Sequence, residues 1–385
     1  MSIFRAYDIR GIYPVQLNEE IAYKIGLATG KLFNNKTIAL ARDARIHGPV
    51  LKKAFLDGLL SYDVNVKDIG MVPTPMLYFA VYNYGLDGGV IITASHNPKE
   101  YNGFKFVGPN AIAWNYEKGI VDIERMIKTI KEGNENGIIE KMDIRRDYIR
   151  FIEKNIKLKK SISMVIDPGN GTGGIAKDLF KLLGCKVKCI YCEPDGNFPN
   201  HIADPLKKET LTKLQEEVVR NCADIGIAFD GDADRLGIVD NDGNAFDNNL
   251  VFVLLIKYIL QVEKGAVIYD ISCSKIVEEF IKKYGGKPIL SRVGHSFIQE
   301  KMIENNAVLG GETSGHYYFK ATKGCDDAIF AAAKIIELLS QSNKDISSML
   351  KELPSYFISP DIRTVSYTHL RAHETRHDLV CRLLL

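Results

Sequence analysis

Residues 37–94 contain TIALARD (37–43), VLKKAFLDGLLS (50–61), VNVKDIG (64–70), MLYFAVYNYG (76–85) and GGVIITA (88–94), short β-rich runs alternating with amphipathic ones. That alternation predicts strand, helix, strand in a mostly parallel sheet covered by helices. The pattern restarts at Ile162 with SMVIDP (163–168), a helix over 175–183, KVKCIYC (186–192), a helix over 209–220 and ADIGIAF (223–229). It restarts again near Val251 with a helix, AVIYDI (266–271), KIVEEFIKKYG (275–285), PILSR (288–292) and a helix after Gly294. The expected class is α/β with three successive domains of about 100 residues, placed at 1–157, 158–255 and 256–360.

Composition supports a globular chain of that size. Of 385 residues, 46% are hydrophobic and 25% charged, which excludes a largely disordered protein. Lys and Arg number 50 against 48 Asp and Glu, so no basic field invites nucleic acid or anionic lipid. The apolar run 251–256 is far too short to span a membrane, and Arg5, Asp8 and Arg10 interrupt the N-terminus where a signal peptide needs its apolar core. Seven cysteines, odd in number and thinly spread, imply a reducing compartment and no disulfide framework. A cytoplasmic protein is expected, and nothing in the sequence specifies its oligomeric state. Residues 366–385 hold three of the eight histidines and no lysine. They read as a foreign, read-through tail and are excluded from fold reasoning.

Three motifs invite functions that their context does not support. GNGTGG (169–174) satisfies GxGxxG after a strand, with Glu193 placed for a ribose, but equally makes a tight strand-to-helix turn. Cys185, Cys189 and Cys192 have an iron–sulfur spacing, yet on a strand over 186–192 the last two point to opposite faces, so buried structural thiols are expected. His373, Glu374 and His377 spell HExxH inside the suspect tail, with no domain around them.

Four other stretches carry chemistry. TASHNPKEYNGFK (93–105) begins where the strand GGVIIT ends, the edge at which open α/β sheets bind ligands. Ser95 lacks a GxSxG elbow and is read instead as a phosphoryl carrier in a loop with His96, Asn97 and Lys105. DGDADR (230–235) follows the strand IGIAF. Asp230, Asp232 and Asp234, at alternate positions of an extended loop, can converge on one hard cation, naturally magnesium. A calcium loop fits poorly, because Arg235 stands at its sixth position and Asn241 at its twelfth. GGETSGH (310–316) offers Glu312, Ser314 and His316 to sugar hydroxyls, and FRAYDIRG (4–11) sets Arg5 and Arg10 beside Asp8.

FRAYDIRG, TASHNP with NGFK, DGDADR and GGETSGH, in this order, resemble the α-D-phosphohexomutase superfamily, in particular its phosphoglucomutase/phosphomannomutase members, from about residue 3 to about residue 363. The resemblance implies a phosphoserine at Ser95, magnesium held by the Ser95 phosphate with Asp230, Asp232 and Asp234, and Arg10 and Arg235 beside that phosphate. It makes Lys105 a candidate for proton transfer or charge stabilisation, His96 a neighbour of the reacting serine, and Glu312, Ser314, His316 and His295 substrate contacts. Implied with them is the interconversion of hexose 1- and 6-phosphates of glucose or mannose through a bound hexose 1,6-bisphosphate. A fourth family domain, whose loop clamps the non-reacting phosphate, has no counterpart here, so a truncated chain of impaired activity is expected. A phosphoglucosamine mutase, a noncatalytic sugar-phosphate-binding module and a dinucleotide oxidoreductase are the alternative readings. Thr313, Tyr317 and Tyr318 incline the first comparison toward gluco- and manno-substrates.

Overall fold

A computed structural model describes residues 2–134 and 136–354. Three sheets follow one another along the chain. The first holds β1 (Ile9–Ile12), β2 (Lys36–Arg42), β3 (Val64–Met71), β4 (Gly88–Ile92), β5 (Tyr101–Val107) and β6 (Ile138–Lys141) in the order β1-β5-β4-β2-β3-β6. The second holds β7 (Ser163–Asp167), β8 (Lys186–Cys189), β9 (Ile225–Phe229) and β10 (Leu236–Asp240), ordered β10-β9-β7-β8. The third holds β11 (Ala266–Asp270), β12 (Lys287–Ser291), β13 (Leu309–Gly311) and β14 (Tyr317–Phe319), ordered β12-β11-β13-β14.

Helices connect the parallel strands, as expected from the alternation. Strands β4, β9 and β11 are buried along their whole length, which is why GGVII, IGIAF and AVIYD carry no polar alternation. Helices Glu19–Leu32 and Gly48–Leu59 pack against each other at very close range, where a Cβ on Gly26 would lie 2.0 Å from the Phe55 carbonyl oxygen. Ile25, Leu51, Phe55 and Leu59 fill the core beneath them.

The structure alters several expectations. Lys105 lies on a strand, paired opposite Ile91, and not in a loop, because the polar run ends at Glu100 and β5 returns antiparallel to β4. Arg10, to which the sequence assigns no element, is on β1, paired with Gly103. The division expected at residue 255 falls inside the unbroken apolar helix Asn248–Val262, whose Phe252 packs on Tyr317 of the third sheet. KVKCIYC is a strand only to Cys189. Tyr191 then takes a left-handed conformation, φ 51°, and the chain turns, so Cys189 and Cys192 are half-buried with their Cα atoms 5.9 Å apart and do not project from opposite faces of a strand. Cys185 is buried and free as expected. HExxH and the 366–385 segment lie outside the described residues. Among the described residues no helix is long and apolar enough to cross a membrane.

Candidate active site

The cleft is assembled from the carboxyl ends of β4, β9 and β13, with β1 and β5 alongside. Ser95, 3% exposed, sits just past β4 in the left-handed region, φ 50°, where L residues rarely rest. Its N–H donates to Thr93 Oγ1 at 3.0 Å, and its Oγ donates to Asp230 Oδ2 at 2.5 Å with His96 Nδ1 at 3.1 Å. The loop after β9 then folds back on itself, Asp230 Oδ1 accepting the N–H groups of Asp234 and Arg235, both at 3.1 Å.

Asp230, Asp232 and Asp234 are buried, and their oxygens lie within 4.8 Å of one another, a group that could hold a metal ion. Lys105 Nζ reaches Asp232 Oδ2 at 2.9 Å and Asp234 Oδ2 at 2.5 Å. Thr74 Oγ1 also donates to Asp232 Oδ2, at 2.6 Å. Asp232 Oδ1 is nevertheless buried without a hydrogen-bond partner. An orphaned buried carboxylate oxygen, in a donor set made only of oxygen, fits a hard divalent cation.

The third sheet closes the other side. His316 Nε2 stands 3.2 Å from Asp234 Oδ1, and its Nδ1 faces Glu312 Oε2 at 3.2 Å and Ser314 Oγ at 2.7 Å. Glu312 accepts from the Gly294 N–H at 3.0 Å and from the Tyr318 hydroxyl at 2.7 Å. That places His295, at the start of helix His295–Glu304, beside the same loop, its ring 5.8 Å from that of Tyr7. On the opposite wall Arg10 binds Asp8 and Asn97, and Arg235 Nε is buried without a hydrogen-bond partner.

Electrostatics fix the charge states. Burial disfavours charge on Lys105, but Asp232 and Asp234 reverse this and hold the ammonium above its usual range. Burial likewise opposes a charged His316, yet Asp234 and Glu312 carry it up to about 10. Glu312, which burial would raise, is brought down to about 2 by His316, the Tyr318 hydroxyl and the Gly294 amide. Burial, with Arg235 and Arg10 nearby, pushes His96 down to about 2, and burial with Lys105 and His316 pushes His295 to about 4. Both imidazoles are therefore neutral. Asp230 is raised by burial and by Asp234 and Asp232, which Arg235 and the bond from Ser95 offset only in part. A second acidic group, Asp234, His316 and Asp326, already contains the charged His316, 3.2 Å from Asp234 and 3.9 Å from Asp326.

Hydrogen bonds and ion pairs join Ser95, His96, Lys105, Asp230, Asp232, Asp234, Glu312, Ser314 and His316 into one connected group, whereas Arg5 lies apart, in a pocket with Phe4, Tyr7, Arg292 and Phe297. GNGTGG is a turn whose Gly171 lies against the Gly231 backbone, where a Cβ would come within 2.5 Å of the carbonyl oxygen, and Thr172 N–H donates to that oxygen at 3.0 Å. Asp43, Arg45 and Thr74, which bond Ser95 or Asp232 directly or through one another and through Thr93, are not among the residues read from the sequence. For Asp43 and Arg45 the signal is ARDAR (41–45), a charged cluster at the carboxyl end of an apolar strand.

Three family models match: phosphoglucomutase/phosphomannomutase alpha/beta/alpha domain I over residues 1–134, domain II over 146–243 and domain III over 247–357. A phosphomannomutase/phosphoglucomutase of Pseudomonas aeruginosa is 41% identical over 367 residues, covering 94% of this chain and 79% of that protein. A phosphoglucomutase of Neisseria gonorrhoeae is 39% identical over 387 residues, covering 99% of this chain and 84% of its own length, so that match runs into the 366–385 segment. The crystal structure of a phosphoglucomutase/phosphomannomutase family protein from Burkholderia thailandensis superposes with a TM-score of 0.87 at 36% identity, over 93% of this chain and 81% of that one. With its serine, aspartate and glutamate loops converging in one cleft, this chain belongs to the phosphoglucomutase/phosphomannomutase family of the α-D-phosphohexomutase superfamily.

Proposed function

We propose that this chain is a hexose-phosphate mutase that interconverts the 1- and 6-phosphates of glucose and mannose through a phosphoryl group carried on Ser95 and a bound hexose 1,6-bisphosphate. The observation that carries the reading is the 2.5 Å approach of Ser95 Oγ to Asp230 Oδ2 within a buried carboxylate cluster. Asp230, Asp232 and Asp234 would hold magnesium, which supplies charge compensation for the transferring group when bound.

The chain's own residues do the rest. The P–O bond to Ser95 Oγ breaks as one to the sugar hydroxyl oxygen forms. The proton leaving that hydroxyl is balanced by the one Ser95 Oγ ends up carrying, donated to Asp230 as seen here. His96, neutral and facing the same oxygen, is placed to relay it. Lys105, kept charged, serves charge stabilisation in place of proton abstraction. Arg235, with its unpartnered Nε, and Arg10 flank the phosphoryl group. Glu312 and Ser314 receive the 3- and 4-hydroxyls, which glucose and mannose share, with His295 and His316 beside them.

The test is conversion of glucose 1-phosphate and mannose 1-phosphate, started with glucose 1,6-bisphosphate and magnesium. Turnover of both, lost by about 10³-fold or more in Ser95→Ala, is the expected result. Turnover by Ser95→Ala equal to that of the parent would exclude the reading.

A further inference from the structure

Arg45 is a fully buried arginine, 0% exposed, that touches neither the cleft carboxylates nor the open face of the site. A guanidinium has five N–H donors in a rigid fan, and here every one is used. Nε donates to Asp43 Oδ2 at 3.2 Å. Nη1 donates to the carbonyls of Pro98 at 2.7 Å and Tyr101 at 3.0 Å, and Nη2 to those of Ser95 at 2.7 Å and Asn97 at 2.6 Å. One side chain thus gathers four carbonyls of the segment that carries Ser95. Its counterion is bound in turn. Asp43 receives the Arg45 N–H at 2.9 Å and lies 2.8 Å from Thr93 Oγ1, the atom that accepts from the Ser95 N–H. The Phe198 ring from the second sheet's layer covers the guanidinium, 5.2 Å from Cζ, and a backbone bridge joins Arg45 to Gly196.

Ser95 needs such a clamp. Its φ of 50° is unfavourable for a residue with a Cβ, and relaxation to the extended region would swing Oγ away from Asp230. Packing alone does not hold it there, because the following residues Asn97, Pro98 and Lys99 are part-buried or exposed.

We infer that Arg45 is a positioning residue for phosphoryl transfer: by chelating the carbonyls of Ser95, Asn97, Pro98 and Tyr101 it fixes the strained serine with Oγ aimed at Asp230. The inference rests on Ser95 being the phosphoryl carrier. Arg45→Lys keeps the charge but has three donors on one nitrogen and cannot span four carbonyls and a carboxylate. The expected outcome is a kcat lowered by about 30-fold or more per folded molecule, a KM for glucose 1-phosphate changed less than about threefold, and an equally slowed uptake of phosphate from glucose 1,6-bisphosphate onto Ser95. Folded fraction is set by far-UV circular dichroism and thermal unfolding. If Arg45→Lys does not fold, Asp43→Asn, which loosens the guanidinium without removing it, reads the same split. Unchanged kcat and phosphate uptake, or a rise in KM at constant kcat, in the folded variant overturns the inference. A parent protein that takes no phosphate on Ser95 overturns the underlying reading instead.

Discussion

Lys105 Nζ lies 2.5 Å from Asp234 Oδ2, joining a strand of the first sheet to the acidic loop of the second. With the 2.9 Å bond to Asp232, the ammonium supplies the positive charge that lets these buried carboxylates stand together. Breaking such a pair by removing one partner costs about 3–5 kcal/mol. Lys105→Met is therefore expected to lower Tm markedly in chelator-treated protein and to regain part of that loss on adding magnesium, with kcat down about 100-fold or more. Scanning calorimetry with and without magnesium measures the first effect and the coupled mutase assay the second.

Asp230→Asn separates metal binding from folding. The amide keeps an oxygen for the Asp234 and Arg235 N–H groups but removes one of three crowded buried charges. Because burial and its two acidic neighbours already disfavour the Asp230 carboxylate, the variant should be as stable as the parent in chelator or slightly more so. It should lose about tenfold or more in magnesium affinity and about 100-fold in kcat. Calorimetric magnesium titration and chelator-treated unfolding curves check the two halves.

Sugar selectivity tests the glutamate loop. If Glu312 and Ser314 receive the 3- and 4-hydroxyls, inversion at carbon four leaves a buried polar group unpaired, at about 1–3 kcal/mol. Galactose 1-phosphate should then show kcat/KM about 5- to 150-fold below glucose 1-phosphate, while mannose 1-phosphate stays comparable to glucose. Glu312→Gln should narrow the gap between the galactose and glucose substrates. Parallel assays on the three sugar phosphates give the ratios.

A pH signature comes from Asp327, which accepts from the Tyr148 hydroxyl at 2.9 Å and the Phe330 N–H at 2.8 Å. Burial, partly offset by those bonds, lifts this carboxyl to about 7. Its folded pKa thus exceeds the unfolded one, so the folded state binds more protons and stability falls as pH rises from about 5 to 7, by about 2 kcal/mol. The contribution is fully present below the unfolded value and lost as pH passes the folded value. Asp327→Asn keeps the acceptor for Phe330 and should flatten the slope, as urea midpoints at pH 5, 6, 7 and 8 would record.

How much of this was legible in the sequence depends on the range of the interaction. Ser95, Asp230 to Asp234 and Glu312 stand at the carboxyl ends of fully apolar strands, so a local pattern marks them. Lys105 is expected in a loop and Arg10 in no particular element, because β1 and β5 are stabilised by pairing across the chain and not by a local period. Arg45 and Asp43 sit in a run that reads as an ordinary strand end, and their partners lie some fifty residues away in TASHNPKEY. The turn at Tyr191 follows from the contact of Asn170 N–H with its carbonyl at 2.9 Å, which no strand propensity in KVKCIYC reveals.

The most direct measurement is intact mass with phosphopeptide mapping after exposure to glucose 1,6-bisphosphate and magnesium. One added phosphoryl group per chain, located on Ser95 and discharged by glucose 1-phosphate, is the predicted result. A phosphoryl group on any other residue, or none while hexose phosphates still interconvert, would contradict it.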